Sequence, residues 1–145
     1  YAYIERPTYA LIAAMQDGHL WMVEQYRHPL GARSWELPMG IAPGGDSIPI
    51  EEGARIELKE ETGVTAAQWK RVGELAPAPA LLAQTGVLFL ATGLTRGEQA
   101  LEETEQDLIA RALPVETVLD MAREGTIRDA ATLASLGLLR LHGHL

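Results

Sequence analysis

The chain has 145 residues and a mass of 15.8 kDa, with 47% hydrophobic and 22% charged residues, which is typical of one globular domain and excludes a disordered chain. Twelve basic against twenty acidic residues give a formal charge of -8, which argues against a general nucleic-acid binder and against an anionic membrane surface. Cysteine is absent, which excludes disulfides and thiolate metal sites and fits a reducing cytoplasm.

The first half of the chain predicts a hairpin followed by a loop. Residues 8–15 and 19–26 are apolar, β-branched and aromatic runs that flank Asp17-Gly18, a strong hairpin signal. Residues 31–45 are rich in Pro and Gly and predict a loop, with a short strand near 35–37. We treat residues 1–145 as one domain. Because the chain begins at Tyr1, we expect residues 1–7 to be the remnant of an N-terminal segment.

The second half predicts helices and strands in alternation. Pro49 suits a first helical turn, residues 50–62 follow as a helix, and Gly63 provides a left-handed cap. Further strands are predicted at residues 68–75, 87–91 and 108–113, and further helices at residues 114–124 and 129–141. No stretch approaches the roughly 20 apolar residues that a membrane span needs. The mixture favours an α+β fold or an α/β sandwich with a sheet between helices.

The helix at residues 50–62 carries a cluster of carboxylates. At about 100° per residue, placing Glu57 at zero puts Glu61 near +40° and Glu60 near −60°. All three therefore lie on one face, one turn apart. Gly53 falls among them, near −40°, so we expect it to leave room for something to approach the helix.

A solvated acidic face is the ordinary explanation for such a helix. Two details favour a metal site instead. Like charges one turn apart destabilise an isolated helix, and no lysine or arginine shares this face. Hard oxygen ligands on a rigid element suit Mg²⁺ or Mn²⁺, and such ions could polarise a diphosphate while water attacks phosphorus.

These residues resemble a known signature. Residues 57–64, Glu-Leu-Lys-Glu-Glu-Thr-Gly-Val, resemble the second half of a Nudix box, and Gly40 with Asp46 resembles its first half, with Asp in place of Glu. Segments similar to the ADP-ribose pyrophosphatase branch lie at residues 25–29, 35–40, 89–94, 102–105 and 125–130. The resemblance implies a Nudix-type α/β/α sandwich with a mixed sheet, and hydrolysis of a nucleoside diphosphate linked to another moiety.

The resemblance also implies roles for the acidic residues. Glu57 and Glu61 would be the principal ligands of Mg²⁺ (or Mn²⁺), with Glu60 on a second or shared ion. The main-chain carbonyl of Met39 matches a further ligand. In the later acidic loop, Glu103 matches the catalytic base that activates water, and Glu105 matches a residue that approaches the metals.

Three more residues are candidates for binding the substrate, a small-molecule nucleoside diphosphate. Arg27, Glu36 and Gly40 lie in the matching segments before the helix. For Arg27 two roles stay open, a contact with phosphate or ligand and a structural ion pair with Glu36. The resemblance further implies a homodimer, whose form we leave open, and we expect a cytoplasmic protein with no nucleic-acid or membrane partner.

Two departures from the family pattern define the alternatives. Ile56 stands where the family has an arginine that orients a box glutamate, and helical geometry points Arg55 about 160° away from Glu57. The segment between Asp46 and the helix is also two residues longer than usual. We favour a metal-dependent pyrophosphohydrolase of ADP-ribose or a related nucleoside diphosphate sugar. The alternatives are a Nudix hydrolase of another diphosphate or of a nucleoside triphosphate, and a non-catalytic binding or sensor domain.

Overall fold

A mixed β-sheet between helices forms the centre of the chain in the computed structural model, which describes residues 1–145. The strands are β1 (Ile4–Glu5), β2 (Tyr9–Gln16), β3 (His19–Arg27), β4 (Ala32–Glu36), β5 (Met39–Gly40), β6 (Thr65–Leu75), β7 (Leu82–Ala83), β8 (Gly86–Thr95) and β9 (Ile109–Pro114). The helices are α1 (Ile50–Thr62), α2 (Val115–Arg123) and α3 (Ala130–Leu141). Short 3₁₀ turns occupy His28–Leu30, Gly45–Ser47 and Glu103–Glu105.

The large sheet has the strand order β4-β3-β2-β8-β6, with β5 paired to β2 and β9 paired to β3. Strands β2 and β8 are parallel, whereas the other pairs in this sheet are antiparallel. A separate parallel pair joins β1 to β7. The predicted mixed sheet and the α/β fold class are therefore confirmed.

The predicted hairpin forms, but it is short. Asp17 and Gly18 both have positive φ, 51° and 71°, as a two-residue turn of the tight hairpin type requires. The strands β2 and β3 pair with each other only at Met15–Leu20 and Gln16–His19. Beyond these pairs they diverge, and each takes its own partners in the sheet.

Strand β2 is buried on both faces, which explains its continuous apolar run. Leu11 and Ala13 pack in a core cluster with residues of α2 and α3. Ala10 and Ile12 pack in a second cluster that includes Leu58 of α1. The sheet is thus covered by α1 on one side and by α2 and α3 on the other, as the sandwich requires.

Local sequence signals define the helix ends well. Helix α1 has the predicted bounds and ends at Gly63, whose φ is 77° and whose N–H donates to the carbonyl of Lys59 at 2.8 Å. Helix α3 begins after Asp129, whose side chain accepts from the backbone N–H of Thr132. The longest helix has 13 residues, and no helix combines the length and the apolarity of a membrane span.

Two strand predictions were too short. Strand β6 begins at Thr65 instead of 68, and β8 ends at Thr95 instead of 91, because these two ends pair with each other, as in Thr65–Thr95. In addition, the loop at residues 76–85 contains β7, which pairs with β1. These differences depend on long-range pairing, which local sequence patterns do not report.

Candidate active site

Helix α1 presents its carboxylates to the protein interior. Glu57 is 5% exposed and Glu61 1% exposed, whereas Glu60 is half-buried. Ala54 and Leu58 of the same helix are fully buried against the sheet. The apolar face therefore fixes the rotation of α1, and this rotation carries the two carboxylates under the neighbouring strands.

Strand β5 holds both buried carboxylates in place. It pairs with β2 through Ala10–Gly40 and Leu11–Met39. The backbone N–H of Met39 donates to Oε2 of Glu61 at 3.3 Å. A Cβ on Gly40 would lie 2.5 Å from both Cδ and Oε2 of Glu57. Gly40 therefore leaves the space that the Glu57 carboxylate fills.

The room expected beside Gly53 is present, and the protein itself occupies it. Gly53 is buried, and a Cβ there would lie 2.8 Å from the Cβ of Ala42. The space beside this glycine is filled by the loop before α1, so nothing else can approach the helix at this point.

The acidic loop before β9 turns two of its glutamates toward α1. In a 3₁₀ turn, side chains three residues apart lie on the same side. Glu102 and Glu105 have this spacing and line the same pocket. Glu103 is exposed and does not line that pocket. Oε2 of Glu105 is buried and has no hydrogen-bond partner.

Both ends of the acidic loop are anchored. Before it, the side-chain amide of Gln99 donates to the carbonyl of Glu61 at 2.6 Å, and the N–H of Ala100 donates to the carbonyl of Glu60 at 2.9 Å. After it, Asp107 accepts from the N–H of Tyr26 at 2.9 Å and pairs with Arg33 at 3.1 Å. These contacts hold the loop beside the end of α1.

Burial and mutual repulsion raise the pKa values of four carboxylates at this site. Burial raises the pKa of Glu57 to about 8, with smaller contributions from Glu60, Glu105 and Glu102. Burial raises the pKa of Glu61 well above its ordinary value, and Glu105 and Glu57 add to this effect. The pKa values of Glu60 and Glu105 are also raised, chiefly by burial. A bound cation would relieve this cost.

Arg27 forms the predicted ion pair with Glu36. Its Nε donates to Oε2 at 2.9 Å and its Nη2 donates to Oε1 at 2.6 Å, which is the strong bidentate geometry. The hydrogen bond to Glu36 raises the pKa of Arg27. The arginine also lines the pocket that contains Glu57 and Glu61, so the other predicted role, a contact with a ligand, stays a prediction.

These side chains surround a pocket of about 400 Å³, which we call the carboxylate pocket. It is lined by Arg6, Tyr9, Gln25, Arg27, Met39, Gly40, Ile41, Glu57, Glu61, Gln84, Glu102 and Glu105. Six predicted site residues thus lie together, namely Arg27, Met39, Gly40, Glu57, Glu61 and Glu105. Glu60 lies outside its lining, Glu36 lies behind Arg27, and Glu103 faces solvent.

Sequence reasoning did not single out Arg6 or Glu102. Arg6 was assigned to a remnant segment, but its N–H donates to the carbonyl of Ala83 and continues the pairing of β1 with β7. This pairing brings the arginine to the pocket. No local sequence signal marks it. For Glu102, the run of acidic residues was a signal, but the direction of each side chain depends on the turn.

The donor set suits a hard divalent ion. Carboxylate oxygens and a main-chain carbonyl are ligands that Mg²⁺ and Mn²⁺ prefer. The unpaired Oε2 of Glu105 and the space at Gly40 that holds the Glu57 carboxylate both fit such a site. In this conformation the carboxylates do not converge on one point, since no three acidic or histidine side chains are grouped closely enough to hold an ion.

The position before Glu57 contributes no charge to the pocket. Ile56 is half-buried and lies with Trp69 in a groove on another side of α1. Arg55 lies over the Trp69 ring at 5.1 Å and pairs with Glu51 at 3.3 Å. Orientation of the box glutamates therefore rests on β5 and Gln99 instead of on an arginine.

Comparisons with known proteins identify the family of this chain. A family model described as NUDIX domain matches residues 5–136. The chain is 33% identical over 134 residues to an ADP-ribose pyrophosphatase of Mycobacterium tuberculosis (strain ATCC 25618 / H37Rv), a match that covers 92% of this chain and 63% of that protein. The chain thus spans under two thirds of that relative's length.

Two further proteins to which the chain is similar are described differently. The chain is 33% identical over 135 residues to a methanol dehydrogenase activator of Bacillus methanolicus, covering 91% of this chain and 71% of that protein. The fold is similar to a crystal structure described as ADP compounds hydrolase, with a TM-score of 0.80 and 22% identity, covering 95% of this chain and 75% of the other. This last similarity supports the fold alone.

Proposed function

The chain belongs to the NUDIX domain family, and on that premise we propose that it is a metal-dependent pyrophosphohydrolase that cleaves the diphosphate bond of ADP-ribose or a related nucleoside diphosphate sugar. The observation that carries the proposal is the carboxylate pocket, where buried carboxylates of α1 face two arginines. The ADP-ribose pyrophosphatase from M. tuberculosis supports the choice of substrate.

The residues of the pocket divide into two roles. Glu57, Glu61, Glu105 and the carbonyl of Met39 would hold Mg²⁺ or Mn²⁺, with Glu60 near a second or shared ion. Such an ion supplies Lewis-acid polarisation of a phosphoryl oxygen and neutralises developing charge. Arg6 and Arg27 would bind non-bridging oxygens of the diphosphate. The ion pair with Glu36 limits the rotamers of Arg27 and so reduces the entropy lost on binding.

For the residue that activates water we propose Glu102. The family resemblance assigns this role to Glu103, which does not line the carboxylate pocket. Glu102 lines the pocket on the same side of the turn as Glu105. A general base must come within hydrogen-bond distance of the water whose proton it accepts, and Glu102 is the acidic residue of this pair that is not assigned to the metal.

We also propose a homodimer in the cytoplasm. The family resemblance implies the dimer, and exposed apolar side chains near β1 and β7 offer a surface for it. Tyr3 is 55% exposed, Ile4 51% and Leu81 52%. Exposed apolar groups in one area are typical of protein contact surfaces. The absence of cysteine supports a reducing compartment.

One observation favours a second candidate, a binding or sensor domain without turnover. Ile56 replaces the arginine that orients a box glutamate in the family, and its neighbour Arg55 lies over the Trp69 ring and pairs with Glu51 instead of with a glutamate of the carboxylate pocket. If only orientation is lost, Ile56→Arg raises the rate of hydrolysis. If the domain only binds nucleotides, this change produces no turnover.

The test is a hydrolysis screen over nucleotide sugars and nucleoside triphosphates, with Mg²⁺ or Mn²⁺ and with EDTA as control. The proposal predicts release of AMP and ribose 5-phosphate from ADP-ribose in the presence of metal only. Binding without turnover across the whole panel would support the sensor domain instead. Faster turnover of a triphosphate than of every nucleotide sugar would contradict the proposed substrate class.

A further inference from the structure

A second cavity of about 380 Å³ adjoins the carboxylate pocket, and we call it the Arg128 pocket. Arg27 and Met39 line both cavities, so a molecule bound among the carboxylates could extend from one into the other. The remaining residues that line it are Pro29, Leu30, Ser34, Glu36, Arg128, Asp129 and Ala130. Its volume is within the range of small-ligand sites.

Both carboxylates of this cavity are already bound to protein groups. Glu36 accepts hydrogen bonds from Arg27 on both of its oxygens. Asp129 caps α3, since its Oδ2 accepts from the N–H of Thr132 at 2.9 Å and from the Thr132 hydroxyl at 2.7 Å. The Glu36 carboxylate is therefore fully used by Arg27, whereas Oδ1 of Asp129 accepts no hydrogen bond, and each carboxylate contributes negative potential.

The guanidinium of Arg128 has no such partner. The side chain is exposed and forms no ion pair and no hydrogen bond with the protein. Nη1 of Arg27 is likewise free, because the bonds to Glu36 use Nε and Nη2. Two guanidinium groups with unused donors line one cavity, and the guanidinium group binds phosphate oxygens with good geometry.

We propose that the Arg128 pocket binds a phosphomonoester on the sugar of the substrate, so that the preferred substrates are nucleoside diphosphate sugars with an additional phosphate. The substrate preference rests on the proposed function, whereas binding of a phosphate in the Arg128 pocket does not depend on it. The carboxylate pocket holds the diphosphate through metal ions and Arg27. The additional phosphate then lies beyond Arg27, where Arg128 donates to it.

A binding experiment tests the pocket without any turnover. EDTA-treated protein is titrated with ribose 5-phosphate by calorimetry, with ribose as the control ligand. Without metal ions, the carboxylates of the other pocket repel a phosphate, so binding reports the Arg128 pocket. Arg128→Gln should weaken binding about tenfold, the effect of losing one charge-assisted contact.

The matched control is Arg140→Gln, which removes another exposed arginine that forms no ion pair, at the far end of α3. This change should leave the affinity for ribose 5-phosphate as in the wild type. Absence of binding to the wild-type protein, or equal affinity in the Arg128→Gln variant, would overturn the proposal.

A kinetic experiment tests whether the phosphate belongs to the substrate. The wild type should have a kcat/KM about tenfold higher for ADP-ribose carrying a phosphate on its terminal ribose than for ADP-ribose itself. Arg128→Gln should bring this ratio close to one, and Arg140→Gln should leave it unchanged.

A ratio near one in the wild type, with ribose 5-phosphate still bound through Arg128, would assign the pocket to a free phosphorylated ligand and overturn the substrate preference. If neither compound is hydrolysed, the proposed function fails, and the titration alone still decides whether the pocket binds phosphate.

Discussion

Glu61 shows at the residue scale why the site needs a cation. Its carboxylate is almost fully buried and receives one backbone hydrogen bond, from Met39 at 3.3 Å. An ionised carboxylate in such a place is costly unless it is paired. No arginine or lysine forms an ion pair with it. Such a group is retained for function at the expense of stability.

We expect Glu61→Gln to lower the activity and to raise the stability of the metal-free protein. Glutamine keeps the shape but not the charge, so kcat should fall at least about a hundredfold, since a metal ligand is lost. In EDTA at about pH 8, the same variant should unfold roughly 3–6 °C above the wild type, because glutamine can be buried without the proton uptake that burial of Glu61 requires at this pH. Steady-state kinetics and thermal unfolding measure the two effects. The control is Glu52→Gln, an exposed glutamate of the same helix, and a lower unfolding temperature for Glu61→Gln than for this control would contradict the explanation.

Substitutions of the neighbouring residues Glu102 and Glu103 test which of the two side chains acts in the carboxylate pocket. Because Glu102 lines the pocket and Glu103 does not, Glu102→Gln should lower kcat by about two orders of magnitude, as expected for a lost general base. Glu103→Gln should stay within about threefold of the wild type. Saturating kinetics on both variants measure the difference. The reverse order would support the assignment from the family resemblance and would require the turn to reorient when substrate binds.

Part of the residue-level site was predictable from the sequence. Helical spacing alone placed Glu57, Glu60 and Glu61 on one face, because α1 is regular. The same reasoning indicated the space beside Gly53, but the helix pattern does not show that Ala42 of a loop fills it. The side-chain direction of a loop residue such as Glu102 depends on the short 3₁₀ turn that follows it, and the sequence does not specify this turn.

At the scale of elements, the contact between α1 and the acidic loop positions the reacting groups. Gln99 joins the two through its bond to the carbonyl of Glu61, at the end of the helix, where carbonyls lack helical partners. Gly63 and Gly97 pass so close that a Cβ on Gly63 would lie 2.4 Å from the carbonyl oxygen of Gly97. The contact between the loop and α1 therefore depends on these two glycines as well as on the hydrogen bond from the Gln99 side chain.

We predict that Gln99→Ala lowers kcat about tenfold with a smaller change in KM. The variant loses a hydrogen bond worth about 1 kcal/mol, and the loop that carries Glu102 and Glu105 becomes less well positioned. Steady-state kinetics give both constants, and Gln68→Ala, an exposed strand position bonded to Thr92, serves as the control. An unchanged kcat in Gln99→Ala would show that this bond does not position the loop.

The sequence predicted helices to within one residue at each end, whereas strands that depend on distant partners were shortened or missed. Helix α1 has Pro49 before it and Gly63 after it, so its bounds follow from the sequence. Strand β7 has two residues and exists because β1 pairs with it. That same pairing places Arg6 at the pocket, which is why this residue also escaped prediction.

At the scale of the whole molecule, buried acidic groups make stability depend on pH. The pKa of Glu57 is raised from 4.5 to about 8 in the folded state, and that of Glu61 is raised in the same direction. A raised carboxyl pKa means that the folded state binds more protons than the unfolded state. Its contribution is complete below the unfolded pKa and is lost as the pH rises through the folded pKa.

The unfolding temperature of EDTA-treated protein should therefore fall as the pH rises from about 5 to about 8. Glu57→Gln should reduce the slope, because one of the two main groups no longer titrates. Glu52→Gln, on an exposed part of α1, should leave the slope as in the wild type. Thermal unfolding across the pH series measures this. A flat or rising profile in the wild type would contradict the burial of protonated carboxylates.

The central claim is that the crowded carboxylates of α1 and the acidic loop form a divalent metal site. Calorimetric titration of EDTA-treated protein with Mn²⁺ at about pH 8 tests it most directly. The account predicts saturable binding by the wild type, binding weakened at least about tenfold in Glu61→Gln, and unchanged binding in Glu52→Gln. Equal Mn²⁺ affinity in all three proteins, or no binding at millimolar metal, would contradict it.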